Sequence, residues 1–349
     1  MGHPSNIAIP PTPSQTTKEA WKSWALICQQ HGTPTLPQLV HPGRQSPAAT
    51  GNRSFFAKAI APSAAPMKLG PGLLDYVLSK ILFGTPREMS LSEIDEVVYQ
   101  FAAAAKLAHE SGFAGVQIHA AHGFLLTQFL SPTSNTRTDM YGGSPANRAC
   151  IVIEVIRAIR AVVPPSFCVG IKVNSADVGG AESLEESLEQ IGLIACEAID
   201  FIEISGGTME NLRMAKGDVE ISEKTRHREA FFLDYARAVR ARYPGVLLML
   251  TGGFRSRKGM QDALGSGACD IIGIGRPAVI WPKLAKEVLL NEEVEDADAR
   301  VELAFVVPTG LAAWVPIKLV GAGVDVMYYA KQILRLAEGR GTVQPPWRG

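Results

Sequence analysis

The feature that most constrains this sequence is where its polar and glycine-rich clusters fall. Apolar runs end in such clusters at 119–123, 174–177, 205–208, 252–255 and 275–277. Between the runs lie longer segments whose apolar residues recur at helical spacing. Strands are read over 35–41, 115–119, 167–174, 201–205, 246–251 and 270–275, and helices over 19–30, 90–111, 147–163, 184–198, 228–243 and 256–266. The clearest helix opens with a capping box at Ser90 and Glu93 and repeats Ile94, Val97, Val98, Phe101 and Ala105 on one face. Residues 52–88 read as a long loop with a short helix near 73–82. Long loops inside a compact domain are usually functional.

The strands read as continuous apolar runs, which predicts a parallel sheet covered on both faces. A barrel and an open doubly wound sheet both satisfy that pattern. The barrel is favoured because every polar cluster follows a strand end, and barrel enzymes keep their chemistry on that one rim. No Gly-x-Gly-x-x-Gly opens a helix after an early strand, which argues against a Rossmann domain. Six strands are counted rather than eight, and none is read before Glu19.

Composition narrows the function classes. With 349 residues, 46% of them hydrophobic and 19% charged, the chain can bury one large core. The 34 Lys and Arg balance the 34 Asp and Glu, so nothing electrostatic points to nucleic acid or to an acidic membrane. Any anion site must be local. The five cysteines, Cys28, Cys150, Cys168, Cys196 and Cys269, never form a Cys-x-x-Cys pair and are expected to be reduced core residues. No basic segment followed by an apolar run opens the chain, so a cytoplasmic protein is expected. Residues 303–326 are apolar but broken by Pro308, Pro316, Lys318 and Asp325; packing helices and loop are expected there rather than an integral membrane segment. A single domain is expected over 1–349, with a flexible start over 1–16 and a helical extension over 284–349.

Four groups of residues carry candidate chemistry. His119 and His122 stand three apart at a strand end, where two imidazoles can donate to one oxygen and stabilise charge developing on it. A buried, satisfied histidine beside a loop cap would give the same spelling, and a metal site lacks a third ligand. Gly253 with Arg255, and Gly275 with Arg276, close two successive strands; such turns hold a phosphate in many barrels and are simple tight turns in others. Gln38, in Gln38-Leu-Val-His41-Pro-Gly43-Arg44, offers a donor and an acceptor from a strand, or packs in the core. Lys172 sits inside an apolar strand and needs an anionic partner, either a carboxylate or a ligand.

Together these segments resemble the Old Yellow Enzyme family of NAD(P)H:flavin oxidoreductases. The most specific stretch runs from Ile118 to Ala149 and includes Phe129-Leu-Ser-Pro-Thr-Ser-Asn135, Arg137-Thr-Asp139 and Tyr141-Gly-Gly-Ser144. Residues 38–45, 170–177, 202–208 and 251–277 follow in the family's order, and the tail is similar to those of fungal members. The resemblance implies an FMN-binding (β/α)8 TIM barrel that takes hydride from NADPH or NADH and passes it to the C=C bond of an α,β-unsaturated carbonyl. Gln38 and Lys172 would then contact the flavin, Gly253, Gly275 and Arg276 its phosphate, and His119 and His122 the substrate carbonyl. It also implies a place in fungal specialised metabolism and leaves an oligomer open.

Two departures qualify that expectation. Phe124 stands where most of the family has a tyrosine that protonates the α-carbon, and phenylalanine has no proton to give. Isomerisation or dehydrogenation then becomes an alternative to reduction. The family also opens with two strands before the Glu19 helix, so a barrel lacking its first two strands is expected here. That leaves an inactive remnant or a small-molecule-binding protein as a competing reading. A phosphate-binding aldolase or isomerase, with Lys172 forming a Schiff base, is the third.

Overall fold

The structure is a computed structural model that describes residues 7–10, 12–51, 53–70, 72–176, 183–207, 232–303 and 318–344, with side chains from 327 in the last stretch. Helix α1 (Gln15–Gln29) starts four residues before Glu19 because the Ser14 hydroxyl accepts from Thr17 N at 3.1 Å and caps it. Strand β1 covers only Gln38–Leu39 of the expected 35–41. Pro37 has no N–H for a ladder, although its carbonyl still accepts from Gln117 N at 3.0 Å. The loop that follows carries a small parallel pair, β2 (Ile60–Ala61) and β3 (Arg87–Glu88), around helix α2 (Leu73–Leu82).

From there strand and helix alternate. Helix α3 (Leu91–Glu110) opens with the expected capping box: Glu93 N donates to the Ser90 hydroxyl at 3.3 Å, and Ser90 N to the Glu93 carboxylate at 3.0 Å. Then come β4 (Gly115–Ala120), α4 (Leu125–Leu130), α5 (Pro145–Arg160), β5 (Cys168–Asn174), α6 (Leu184–Ala195) and β6 (Phe201–Ser205). The chain continues through α7 (Leu233–Arg242), β7 (Leu248–Thr251), α8 (Arg257–Gly265), β8 (Ile271–Gly273) and the single turn α9 (Arg276–Ile280). Helix α10 (Lys318–Ala337) follows near the end of the chain. The first part of the helix expected over 228–243, most of the apolar stretch 303–326 and part of the expected flexible start lie outside the described residues.

Among the described residues the main sheet has six strands, all parallel, in the order β1-β4-β5-β6-β7-β8. Each neighbour follows in sequence with a helix between from β4 onward, which is the winding of a (β/α)8 barrel. Register aligns Gln38 with Gln117, and His119 with Lys172 and then with Glu203.

The expectation of continuous apolar strands is corrected by this register. Ile118, Ile171, Ile202, Ile204, Leu248 and Leu250 share one face and are fully buried beneath the helices. The other face presents Gln38, Gln117, His119, Lys172, Glu203 and, one step on, Asn174 and Ser205. The strands alternate, because successive side chains point to opposite faces. The cysteine expectation is corrected too: only Cys269 is buried, and Cys28 and Cys196 are exposed.

Candidate active site on the inner rim of the sheet

The turn from β4 into α4 builds the centre of the site. His122 adopts a left-handed backbone (φ 59°), followed by Gly123 at φ 75°. A non-glycine residue there is strained, and such strain is kept only where surroundings enforce it. Three bonds do so. His122 N donates to Asn174 Oδ1 at 3.0 Å, Gln45 Nε2 donates to the His122 carbonyl at 2.8 Å, and Gln128 Nε2 donates to the Gly123 carbonyl at 2.8 Å. Gln128 also accepts from Arg44 N at 3.2 Å and donates to the Pro42 carbonyl at 3.2 Å. The turn after β1 and the histidine turn are therefore one bonded unit.

The ring of His119 lies 5.1 Å from that of His122 and 4.7 Å from that of Phe124, edge to face in both cases. Ala121 N donates to His119 Nδ1 at 3.2 Å. A neutral imidazole whose Nδ1 accepts must carry its proton on Nε2, so His119 is a donor at Nε2. Burial, then the neighbouring His122 and Lys172, hold His119 well below the usual histidine range. Burial and Lys172 push His122 down to about 3, against the opposing pull of Glu203. Both rings are therefore neutral near pH 7. His122 Nε2 lies 3.1 Å from the Ser205 hydroxyl.

Lys172 finds a protein partner. Its Nζ lies 2.7 Å from Glu203 Oε1, so a carboxylate is one anionic partner that the strand's lysine has. Gln117 Nε2 donates to Glu203 Oε2 at 2.6 Å, and Gln38 Nε2 donates to Gln117 Oε1 at 2.6 Å. Burial alone would raise the Glu203 carboxyl, but the Lys172 charge and hydrogen bond and the Gln117 amide hold it below the usual carboxylate range. Gln38 is exposed rather than packed in a core. Its Oε1 has no hydrogen-bond partner among the described residues.

Gly253 and Gly275 each lie two residues beyond the registered pair Thr251 and Gly273, so the two turns meet on the same rim. Gly252 and Gly253 are left-handed, at φ 146° and 80°. Gly275 is the cap residue of α9, and Arg276 begins that turn. The Tyr141 hydroxyl donates to the Glu154 carboxylate at 3.0 Å on α5. No three His, Cys, Asp or Glu side chains cluster as metal ligands among the described residues.

Sequence reading singled out Gln38, His119 and Lys172, which the structure brings to one face of the sheet, and His122 and Phe124, whose rings lie against that of His119 from the turn after β4. It missed Gln117, Glu203 and Ser205, whose signal was the polar residue at every second position of β4 and β6. Gln128 and Gln45, which brace the histidine turn, carry no local signal because their partners are distant in sequence.

Residues 12–295 match the NADH:flavin oxidoreductase / NADH oxidase family. The chain is 47% identical over 336 residues to the "NADH-dependent flavin oxidoreductase iliE" of Neonectria sp. (strain DH2), covering 91% of this chain and 44% of that one. It is 53% identical over 280 residues to the "NADH-dependent flavin oxidoreductase iccE" of Talaromyces variabilis, covering 79% and 67%. The chain thus spans less than half of the Neonectria protein and about two thirds of the Talaromyces one. Among solved structures, a 2-naphthoyl-CoA reductase in complex with 2-naphthoyl-CoA superposes with a TM-score of 0.65 at 24% identity, over 78% of this chain and 40% of that one, and shares the barrel fold.

Proposed function

The chain belongs to the NADH:flavin oxidoreductase / NADH oxidase family, and from that premise we propose that it binds FMN, takes hydride from NADH or NADPH and reduces the activated C=C bond of an enone or enal. The observation that carries this reading is the pair of neutral histidines at the end of β4, with the His119 proton on Nε2. Such donors bind a carbonyl oxygen and stabilise it more strongly as it gains charge, which is the differential binding that speeds the chemical step.

The rim's own features suit a flavin mononucleotide. Gln38 offers an amide oxygen that has no partner among the described residues, Lys172 supplies a cation on the same face, and the turns at Gly253 and at Gly275 with Arg276 offer backbone N–H groups and a positive charge for the phosphate. The cofactor supplies hydride transfer. His119 and His122 hold the substrate carbonyl. Phe124 packs against His119 and fixes its ring, but gives no proton to the α-carbon.

The test is to load the purified protein with FMN and follow NADH oxidation with a cyclic enone. Enone-dependent turnover supports the proposal; bound FMN reduced by NADH but never reoxidised by enones counts against the substrate class. Phe124 favours a second reading, in which the double bond of the substrate is shifted rather than saturated. Migration of the double bond without consumption of NADH would support it.

A further inference from the structure

The inner-face chain Gln38–Gln117–Glu203–Lys172 is not explained by substrate binding. It crosses strands β1, β4, β6 and β5, and each bond in it is between 2.6 and 2.7 Å. Gln117 reaches Glu203 across β5 at Gly170, where the inner face carries no side chain; an added Cβ there would overlap the Phe201 ring. Glu203 is 4% exposed, so both of its carboxylate oxygens are engaged inside the protein. A carboxylate is costly at such a position, and its attraction to a buried ammonium need not exceed the cost of desolvating both.

We infer that Glu203 is a positioning residue for Lys172: it fixes the ammonium on the inner face and cancels its charge, so that the flavin site is held close to neutral beside Gln38. The inference rests on the proposed binding of FMN. Its physical content is electrostatic. The two histidines are neutral, so in the centre of the sheet the Lys172 charge is balanced by Glu203 alone among the groups bonded to it. Two-electron reduction of a flavin adds negative charge, which a nearby uncompensated cation stabilises. Removing the Glu203 charge therefore favours the reduced cofactor.

The experiment is a dye-equilibration titration of the two-electron potential of bound FMN in the wild type and in Glu203→Gln, Glu203→Asp, Lys172→Gln and the double variant Lys172→Gln/Glu203→Gln. Glu203→Gln keeps the shape and an acceptor for Lys172 but removes the charge. It should bind reduced over oxidised FMN about tenfold better than the wild type does, which raises the potential by about 30 mV. Glu203→Asp should stay near the wild type, and Lys172→Gln should shift the opposite way. The double variant restores neutrality and should also lie near the wild type; it keeps the test alive if either single variant fails to fold. A Glu203→Gln potential equal to the wild type, or a double variant as low as Lys172→Gln, overturns the inference and makes Glu203 a purely structural partner. If the wild type takes up no FMN, the functional proposal fails first and carries this inference with it; a flavin-loaded wild type with unresponsive variants fails this inference alone.

Discussion

His122 is held in a left-handed backbone by Asn174, Gln45 and Gln128, with its ring 5.1 Å from that of His119. That geometry predicts that His119→Ala, which removes one donor to a developing oxyanion, lowers kcat with an enone by roughly 10²–10³-fold. Steady-state kinetics on FMN-loaded protein measure it. Phe124→Tyr adds a hydroxyl next to the same rings without changing the cap conformation (φ −74°). It should raise enone reduction, since general acid catalysis contributes roughly 10²–10⁴-fold. An unchanged rate with FMN bound would mean that another donor already serves. The buried histidines also predict a pH effect on stability. Burial pushes His41 down to about 4 and His122 to about 3, so the unfolded chain takes up protons first as the pH falls. Their contribution is complete above the unfolded value of about 6.5 and is lost as the pH drops towards those folded values. The urea midpoint should therefore be lower at pH 5 than at pH 7, where carboxylates such as Glu93, held at about 2, have hardly begun to contribute. A midpoint that does not change between the two would contradict neutral burial of these rings.

At the scale of single elements, the stretch from Phe129 to Ser144 shows what its distinctive residues do. Asn135 Nδ2 donates to the carbonyls of Phe129 and Tyr141, both at 2.7 Å. Arg137 donates to the carbonyls of Pro62 at 3.1 Å and Met89 at 2.7 Å, and pairs with Asp139. Arg148 donates to the Leu130 carbonyl at 2.7 Å. These side chains satisfy main-chain carbonyls within the loop and tie it to its neighbours at Pro62 and Met89. Asn135→Ala leaves two such carbonyls unpaired and should destabilise the protein by about 2–6 kcal/mol, from about 1–3 kcal/mol per unsatisfied group. Chemical denaturation measures it; a loss below about 1 kcal/mol would show that water replaces the amide. The helices were legible in the sequence because caps such as Ser90 with Glu93 mark them locally. β1 was overestimated because its apolar spelling hides the ladder gap at Pro37. The inner polar face went unread because one Gln, Lys or Glu inside an apolar run looks like an exception until register lines them up across strands.

At the scale of the molecule, six parallel strands among the described residues, wound in chain order, place Gln38, His119, Lys172 and Glu203 on one face, with the histidine and glycine turns at the strand ends. The strand–helix alternation and the rim position of the glycine clusters were readable from the sequence. Pairings between strands, such as Lys172 with Glu203 or Gln38 with Gln117, were not, since they depend on the stagger of elements far apart in the chain. We propose that this face holds FMN between Gln38, Lys172 and the two glycine turns. The most direct test is the absorption spectrum of the purified chain after incubation with FMN and removal of free cofactor. Flavin bands at roughly 370 and 450 nm that stay with the protein, and that bleach on adding NADH, are the predicted result. A colourless protein that is folded by circular dichroism yet retains no flavin would contradict it.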